Sequence, residues 1–334
     1  MRMSQTTEVE TMAEEPTRAV SDQLERSGAA PASGQLKLLL KTMRPKQWTK
    51  NVFVWAALVF DVKLFERGPF LRTLATFILF CLISGAVYII NDLVDIEKDR
   101  RHPHKRNRPL ASGALNPRFA AVGAGIIVAG ALPVALWVDR AAGHRAPLVT
   151  LILYGYLALM IAYSFRLKNI VIVDVLTISA GFVLRVAAGV VAVNAVRFSP
   201  WMYVCMVLLA LFLALGKRRQ EIVLLEGNSG DTRKILEEYN LRFLDEMLAL
   251  VSSTTVMAYS FYTFSAPNLP LNHLMMLTIP FVLYGLFRYL YLIHVKGETD
   301  PPDAVALKDR PLQIDLLLFV LVVFAVFYVV PRAV

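Results

Sequence analysis

"LFCLISGAVYIINDLVDIEKD", residues 79–99, changes character at its midpoint. Through Ile90 it is almost wholly apolar; from Asn91 it carries Asp92, Asp95, Glu97, Lys98 and Asp99. Inside hydrocarbon the backbone must satisfy its own hydrogen bonds, so an apolar run of about 20 residues reads as a spanning helix. Residues 70–91 form such a run. The stretch therefore marks a membrane helix reaching water, and the fold depends on how often the chain repeats that transition.

It repeats it along nearly its whole length. The 334 residues are 56% hydrophobic and 18% charged, with a mean hydropathy of +0.53. A soluble domain is about 45–50% apolar and about 25% charged, so an ordinary soluble fold is excluded. Nine candidate spans are legible, at about 48–65, 70–91, 118–138, 147–165, 170–193, 200–216, 246–265, 272–294 and 312–330. The first is closed early by Asp61 and Lys63. The fold class is an all-α integral membrane bundle of nine transmembrane helices in contact with the lipid bilayer.

Basic residues alternate across the loops. Lys37, Lys41, Arg44, Lys46 and Lys50 precede the first span, Lys98 to Arg108 follow the second, and Lys217, Arg218 and Arg219 follow the sixth. The loop "SAPNLPLNH" has none. By the positive-inside rule the N-terminus is cytoplasmic and the C-terminus outside. The net charge of +9 thus reports topology and implies no nucleic acid partner. Residues 1–35, polar and without an apolar core, read as a disordered cytoplasmic tail, and 36–334 as one transmembrane domain. Gly123, Gly130, Gly181 and Gly189 would let helices pack closely. Cys81 and Cys205 fit neither a disulfide nor a zinc pattern.

Asp92, Asp95 and Asp99 lie at i, i+3 and i+7, which stacks three carboxylates on one helix face, and Asn91 shares it. Like charges this close need a cation, and Mg²⁺ favours carboxylate oxygens together with substrate phosphates. Lys105, Arg106 and Arg108 follow in the same loop, a pairing that suits a diphosphate. His102 and His104 flank Pro103 and read as turn or phosphate-contact residues. A solvated helix end neutralised by the nearby arginines is the plainer reading.

"NDLVDIEKD" resembles the first aspartate-rich motif of the UbiA-type polyprenyl transferase superfamily. "RPLASG" (108–113) and "YSFRLK" (163–168) are similar to that superfamily too. The likeness covers roughly 40–330 and implies a UbiA-like catalytic bundle, with Mg²⁺ as cofactor held by Asn91, Asp92, Asp95 and Asp99. Asp92 and Asp95 are then the catalytic pair.

Most members carry a second acidic motif after span six. This chain has "ALGKRRQEIVLLEGN" there, with Glu221 the nearest carboxylate. It is not a P-loop, since no glycine stands at Leu211 and no Ser or Thr follows Lys217. A basic site holds a second metal poorly and a phosphate well. With "RPKQWTKN" (44–51) and "DAVALKDRPLQ" (303–313), this resembles the decaprenyl-phosphate phosphoribosyltransferase branch of the superfamily. That branch implies transfer of 5-phosphoribose from phosphoribosyl pyrophosphate (PRPP) to a polyprenyl phosphate, for a cell-wall arabinose precursor. It implies substrate contacts from Lys46, Lys50, Lys105, Arg106, Arg108, Tyr163, Lys168, Asp174, Arg185, Lys217, Arg218 and Glu221. The location is the inner (plasma) membrane with a cytoplasm-facing active site; a homo-oligomer is compatible with the reading.

Asp174 and Arg185 are costly inside span five and mark function. At eleven residues they share a face but stand about 16 Å apart along the axis, so a cavity between them is expected in preference to a direct pair. Two alternatives remain. One is prenyl transfer from a prenyl diphosphate to an aromatic acceptor, as in quinone synthesis, which shares the first motif. The other is a transporter using Asp174 and Arg185, which leaves the aspartate stack unexplained.

Overall fold

The computed structural model describes residues 32–101, 105–195, 199–226, 238–267, 269, 272–300 and 302–330. Of the expected tail only 32–35 are described, and they open helix α1 (Ala32–Thr42). His102 and His104 lie outside the described residues.

The described residues are helical almost throughout. Eight helical segments are long and apolar enough to cross a membrane. They are α3 (Arg67–Val94), α5 (Pro117–Ala141), α6 (Leu148–Phe165), α7 (Val173–Val193), α8 (Pro200–Glu226), α9 (Leu241–Ser265), α10 (Ile279–His294, led in by the 3₁₀ turn Leu274–Thr278) and α12 (Arg310–Phe324, continued by a π-turn over Ala325–Val329). Short helices α2 (Ala56–Phe60), α4 (Ile96–Arg101) and α11 (Pro302–Lys308) lie between them. Eight of the nine expected spans are thus long helices.

The first expected span, 48–65, is not. It is a 3₁₀ segment, Pro45–Trp55, followed by α2. Pro45 opens the segment without an N–H, and Asn51 is fully buried inside it. The Asn51 amide donates to Cys81 Sγ at 3.3 Å and Ser84 Oγ at 3.4 Å on α3, and its oxygen accepts from Arg185 on α7. Tertiary bonds of this kind hold a segment that α-propensity would not. Its backbone also lies directly on α7, because a Cβ at Gly189 would collide with the Val54 carbonyl. Gly123 makes similar room for Leu39, whereas Gly130 faces open space and serves no packing role. Gly189→Ala is expected to force the two backbones apart and destabilise by about 1–3 kcal/mol. Melting in detergent reads this out; an unchanged midpoint would show the contact to be slack.

The core divides into connected clusters. Leu79, Phe80, Ile83, Leu153 and Tyr156 join α3, α6 and the 3₁₀ segment, while Phe212, Leu215, Leu244, Leu248 and Leu286 join α8, α9 and α10. Helix starts are set by side chains that accept the first free N–H groups. Asn116 caps α5, Asn240 caps α9, and Asp309 caps α12 by accepting from Leu312 N at 2.9 Å. Asp309 also pairs with Arg288 at 2.8 Å, and that hydrogen bond holds its carboxyl below the usual range. "DAVALKDRPLQ" thus builds the entry to the last span.

One end of the bundle is sealed by local bonds. Arg72 donates to the Ala192 and Ala141 carbonyls, His144 bonds the Val191 carbonyl, and Asp139 accepts from Val149 N and Thr150 N. Most of the carboxylates and bases flagged by sequence gather at the other end; Arg185 lies between the two, midway along α7.

Candidate active site at the charged end of the bundle

α3 ends at Val94, where Asp95 breaks it at φ −95 and ψ 11. The ladder continues across the break, with Asp95 N bonding Asn91 O at 3.0 Å and Asp99 N bonding Asp95 O at 2.8 Å. The seven-residue spacing therefore survives, and Asp92 and Asp99 share one guanidinium. Arg108 Nη1 lies 2.6 Å from Asp99 Oδ2 and 3.2 Å from Asp92 Oδ1. Arg44 Nη2 approaches the same Asp92 oxygen at 2.6 Å. Arg44 precedes Pro45, whose ring disfavours the helical region there; it turns at φ 54 and stacks 4.7 Å over the Tyr88 ring. Lys168 Nζ is 3.3 Å from Asp95 Oδ2.

Asp92 and Asp99 are each only 3% exposed, while the Asp95 side chain keeps 24%. Burial therefore separates Asp92 and Asp99 from the more open Asp95. Arginines from the first segment and from the following loop bury them.

A second cluster is built on Asp174, at the start of α7 and fully buried. Its Oδ2 accepts from Arg218 Nε at 2.7 Å and its Oδ1 from Tyr239 Oη at 2.8 Å. Arg218, 1% exposed, also binds Glu221 and donates to Tyr163 Oη at 3.2 Å. The Tyr239 oxygen accepts from Ile172 N at 2.7 Å. Ile172 has φ 69 and ψ −43 in a three-residue turn closed by Val173 N to Val171 O at 2.8 Å. A β-branched residue there is strained, and such strain persists only where neighbours over-determine it. Burial, reinforced by the bond to Asp174, raises the Tyr239 phenol well above its ordinary value, so it remains a donor.

Arg185 is 7% exposed and held by Asn51 Oδ1 at 2.7 Å, Gly181 O at 2.8 Å and Tyr156 Oη at 2.8 Å. The expected absence of a direct Asp174–Arg185 pair holds. Each of the two is instead held by its own partners on neighbouring segments.

Among the remaining residues flagged by sequence, Lys46 and Arg106 are exposed at this end. Lys50, Lys105 and Lys217 are half-buried and partnered. Arg219 is tied to Asp245 at 2.6 Å and to the Ile293 carbonyl. The end of α6 joins the clusters, Tyr163 reaching Arg218 and Lys168, just beyond it, reaching Asp95. Sequence reasoning gave no site role to Arg44, Asn51, Tyr156 or Tyr239. Arg44 lies within "RPKQWTKN" and could have been found there; Tyr239 carries no local signal.

Magnesium takes hard oxygen donors, and Asn91, Asp92, Asp95 and Asp99 are donors of that kind. Among the described residues no three His, Cys, Asp or Glu side chains converge as a ready metal site. Arg44, Arg108 and Lys168 already hold the carboxylates. The donors fit the ion in kind, and basic side chains occupy the cationic place.

Eight membrane-length helices with a carboxylate–base cluster gathered at one end define a multi-pass membrane protein whose polar chemistry sits at a rim. The UbiA prenyltransferase family matches residues 52–308, and the chain belongs to that family. Its fold is similar to a UbiA homolog from Archaeoglobus fulgidus bound to DMAPP and Mg²⁺, with TM-score 0.64 and 18% identity, covering 87% of this chain and 99% of that one. It is 32% identical over 315 residues to the decaprenyl-phosphate phosphoribosyltransferase of Mycolicibacterium smegmatis, covering 90% of this chain and 95% of that protein. It is likewise 32% identical over 322 residues to the protein of that name from Corynebacterium glutamicum, covering 94% and 93%.

Proposed function

We propose that the chain transfers 5-phosphoribose from PRPP to a polyprenyl phosphate, decaprenyl phosphate in the first instance, and releases pyrophosphate. The product would feed cell-wall arabinose synthesis. The observation that supports this most is the likeness to phosphoribosyltransferases along nearly the whole chain. In the reaction the bond from the anomeric carbon to pyrophosphate breaks and one to a lipid phosphate oxygen forms. The electron pair leaves with pyrophosphate. The nucleophile is already an anion, so no general base is required.

Asp92 and Asp95, with Asn91 and Asp99, would hold a Mg²⁺, which when bound supplies charge stabilisation to a departing diphosphate. Arg44, Arg108 and Lys168 adjoin those carboxylates and are placed to bind diphosphate oxygens. Lys46 and Arg106 would steer the 5-phosphate and the lipid phosphate. Asp174, Arg218, Tyr163 and Glu221 form the fixed wall of the site, and Arg185 secures the first segment to α7.

The charged end would face the cytoplasm of the plasma membrane, with the N-terminus inside and the C-terminus outside. That orientation needs a ninth crossing. The 3₁₀ segment supplies most of it, because its 11 residues at about 2.0 Å each, with α2 added, approach the roughly 30 Å of hydrocarbon.

Prenyl transfer to an aromatic acceptor is the second reading, favoured by the fold shared with a DMAPP-bound homolog. One assay separates the two. Purified protein should make lipid-linked phosphoribose from labelled PRPP and decaprenyl phosphate. It should make no product above background from geranyl diphosphate with 4-hydroxybenzoate. The reverse pattern would establish the second reading.

A further inference from the structure

The aspartate cluster is electrically closed in the free protein. Each of Asp92, Asp95 and Asp99 already meets a basic partner among Arg44, Arg108 and Lys168. A divalent cation added to that set brings two uncompensated positive charges beside arginines. Two of the carboxylates are 3% exposed, so solvent screens them poorly. Withdrawing the arginines without a replacement is equally costly, since a buried carboxylate stripped of its partner is strongly destabilising. Both costs fall if a diphosphate enters with the cation. The cation then meets the carboxylates, and the guanidinium groups meet phosphate oxygens, for which their fork geometry is suited.

The arginines have the freedom this exchange needs. The side chains of Arg44 and Arg108 are 30% and 27% exposed, against 2% for Arg218. Arg44 rests on the face of Tyr88, a contact that is compatible with rotation about its outer torsions.

We infer that Arg44 and Arg108 are exchangeable counter-ions, which neutralise Asp92 and Asp99 in the free protein and transfer to the diphosphate of the incoming donor. Divalent cation and diphosphate consequently bind this end of the bundle as a pair. Each raises the affinity for the other by the same factor. The inference rests on the proposed function only in bringing a diphosphate to this cluster; what the diphosphate carries does not enter.

The test uses the full chain in detergent, Mn²⁺ as the metal, and inorganic pyrophosphate as the anion. Protein-bound Mn²⁺ is read by electron paramagnetic resonance after subtraction of free Mn²⁺–pyrophosphate. Pyrophosphate is expected to tighten Mn²⁺ binding by about tenfold or more. Arg108→Gln should tighten binding without pyrophosphate by a similar factor and shrink the effect of the anion. Arg44→Gln should act in the same direction but less, because Asp92 keeps Arg108. If Arg108→Gln fails to fold, Arg44→Gln decides. Equal Mn²⁺ affinity with and without pyrophosphate overturns the inference, as does an absence of bound Mn²⁺ under both conditions. Folded variants with unchanged anion-free affinity overturn it too. Pyrophosphate is common to both candidate donors, so a failed phosphoribosyl assay leaves this result standing.

Discussion

Asp95→Asn is expected to fold like the parent chain and to lose turnover by about a hundredfold or more. The size is that of removing one group that stabilises charge in the transition state. Asp95 is the most open of the three stacked carboxylates and pairs with Lys168 at 3.3 Å. Neutralising it strands no buried arginine. Asp92→Asn should lose as much activity and stability besides, because Asp92 is 3% exposed and accepts from both Arg44 and Arg108. The measurement pairs melting in detergent with product formation from labelled PRPP at saturating Mg²⁺. Activity within a few-fold of the parent in both variants would remove these carboxylates from the reaction. Equal loss of stability in both would mean that the fold relies on Asp95 as heavily as on Asp92.

The second large effect belongs to Asp174 and Arg218. Removing one partner of a buried ion pair costs about 3–5 kcal/mol, because the other is left charged and dry. Arg218→Met leaves the Asp174 carboxylate with Tyr239 alone, and Asp174→Asn leaves Arg218 with Glu221 and Tyr163. Each should lower the melting midpoint sharply and cost activity through misfolding more than through substrate affinity. The double variant should recover much of the stability, since neither charge is then stranded. That recovery distinguishes a structural lock from a phosphate ligand. Single variants that melt like the parent but show a raised KM for PRPP would return Arg218 to the role its sequence position implied.

These expectations differ from the sequence reading for identifiable reasons. Hydropathy located eight spans because lipid demands long apolar helices. It did not foresee that the first is a 3₁₀ segment, because such a segment depends on partners that hydropathy does not register, namely Gly189 beneath Val54 and Arg185 on Asn51. The carboxylates were legible from their i, i+3, i+7 spacing, a local property. So was the neutralising part of a nearby arginine, which Arg108 plays; the part of Arg44 was not, because it lies 48 residues from Asp92. The charge of Asp174 inside an apolar run was legible as costly. Its partners, 44 residues on at Arg218 and 65 on at Tyr239, were not. "GKRRQE" looked like a uniform basic patch. The fold instead divides it, tying Arg218 to Asp174 and Arg219 to Asp245.

The two thiols have a practical consequence. Cys81 and Cys205 are the chain's only cysteines, and both are buried, one beneath the Asn51 amide. Thiolate chemistry needs access, so the native chain is a nearly silent background for maleimide probes. Single cysteines introduced at exposed positions such as Lys46 or Arg106 at one end, and Arg140 at the other, would report their side of the membrane in intact cells. The topology of the molecule can therefore be mapped without first stripping residues from its core.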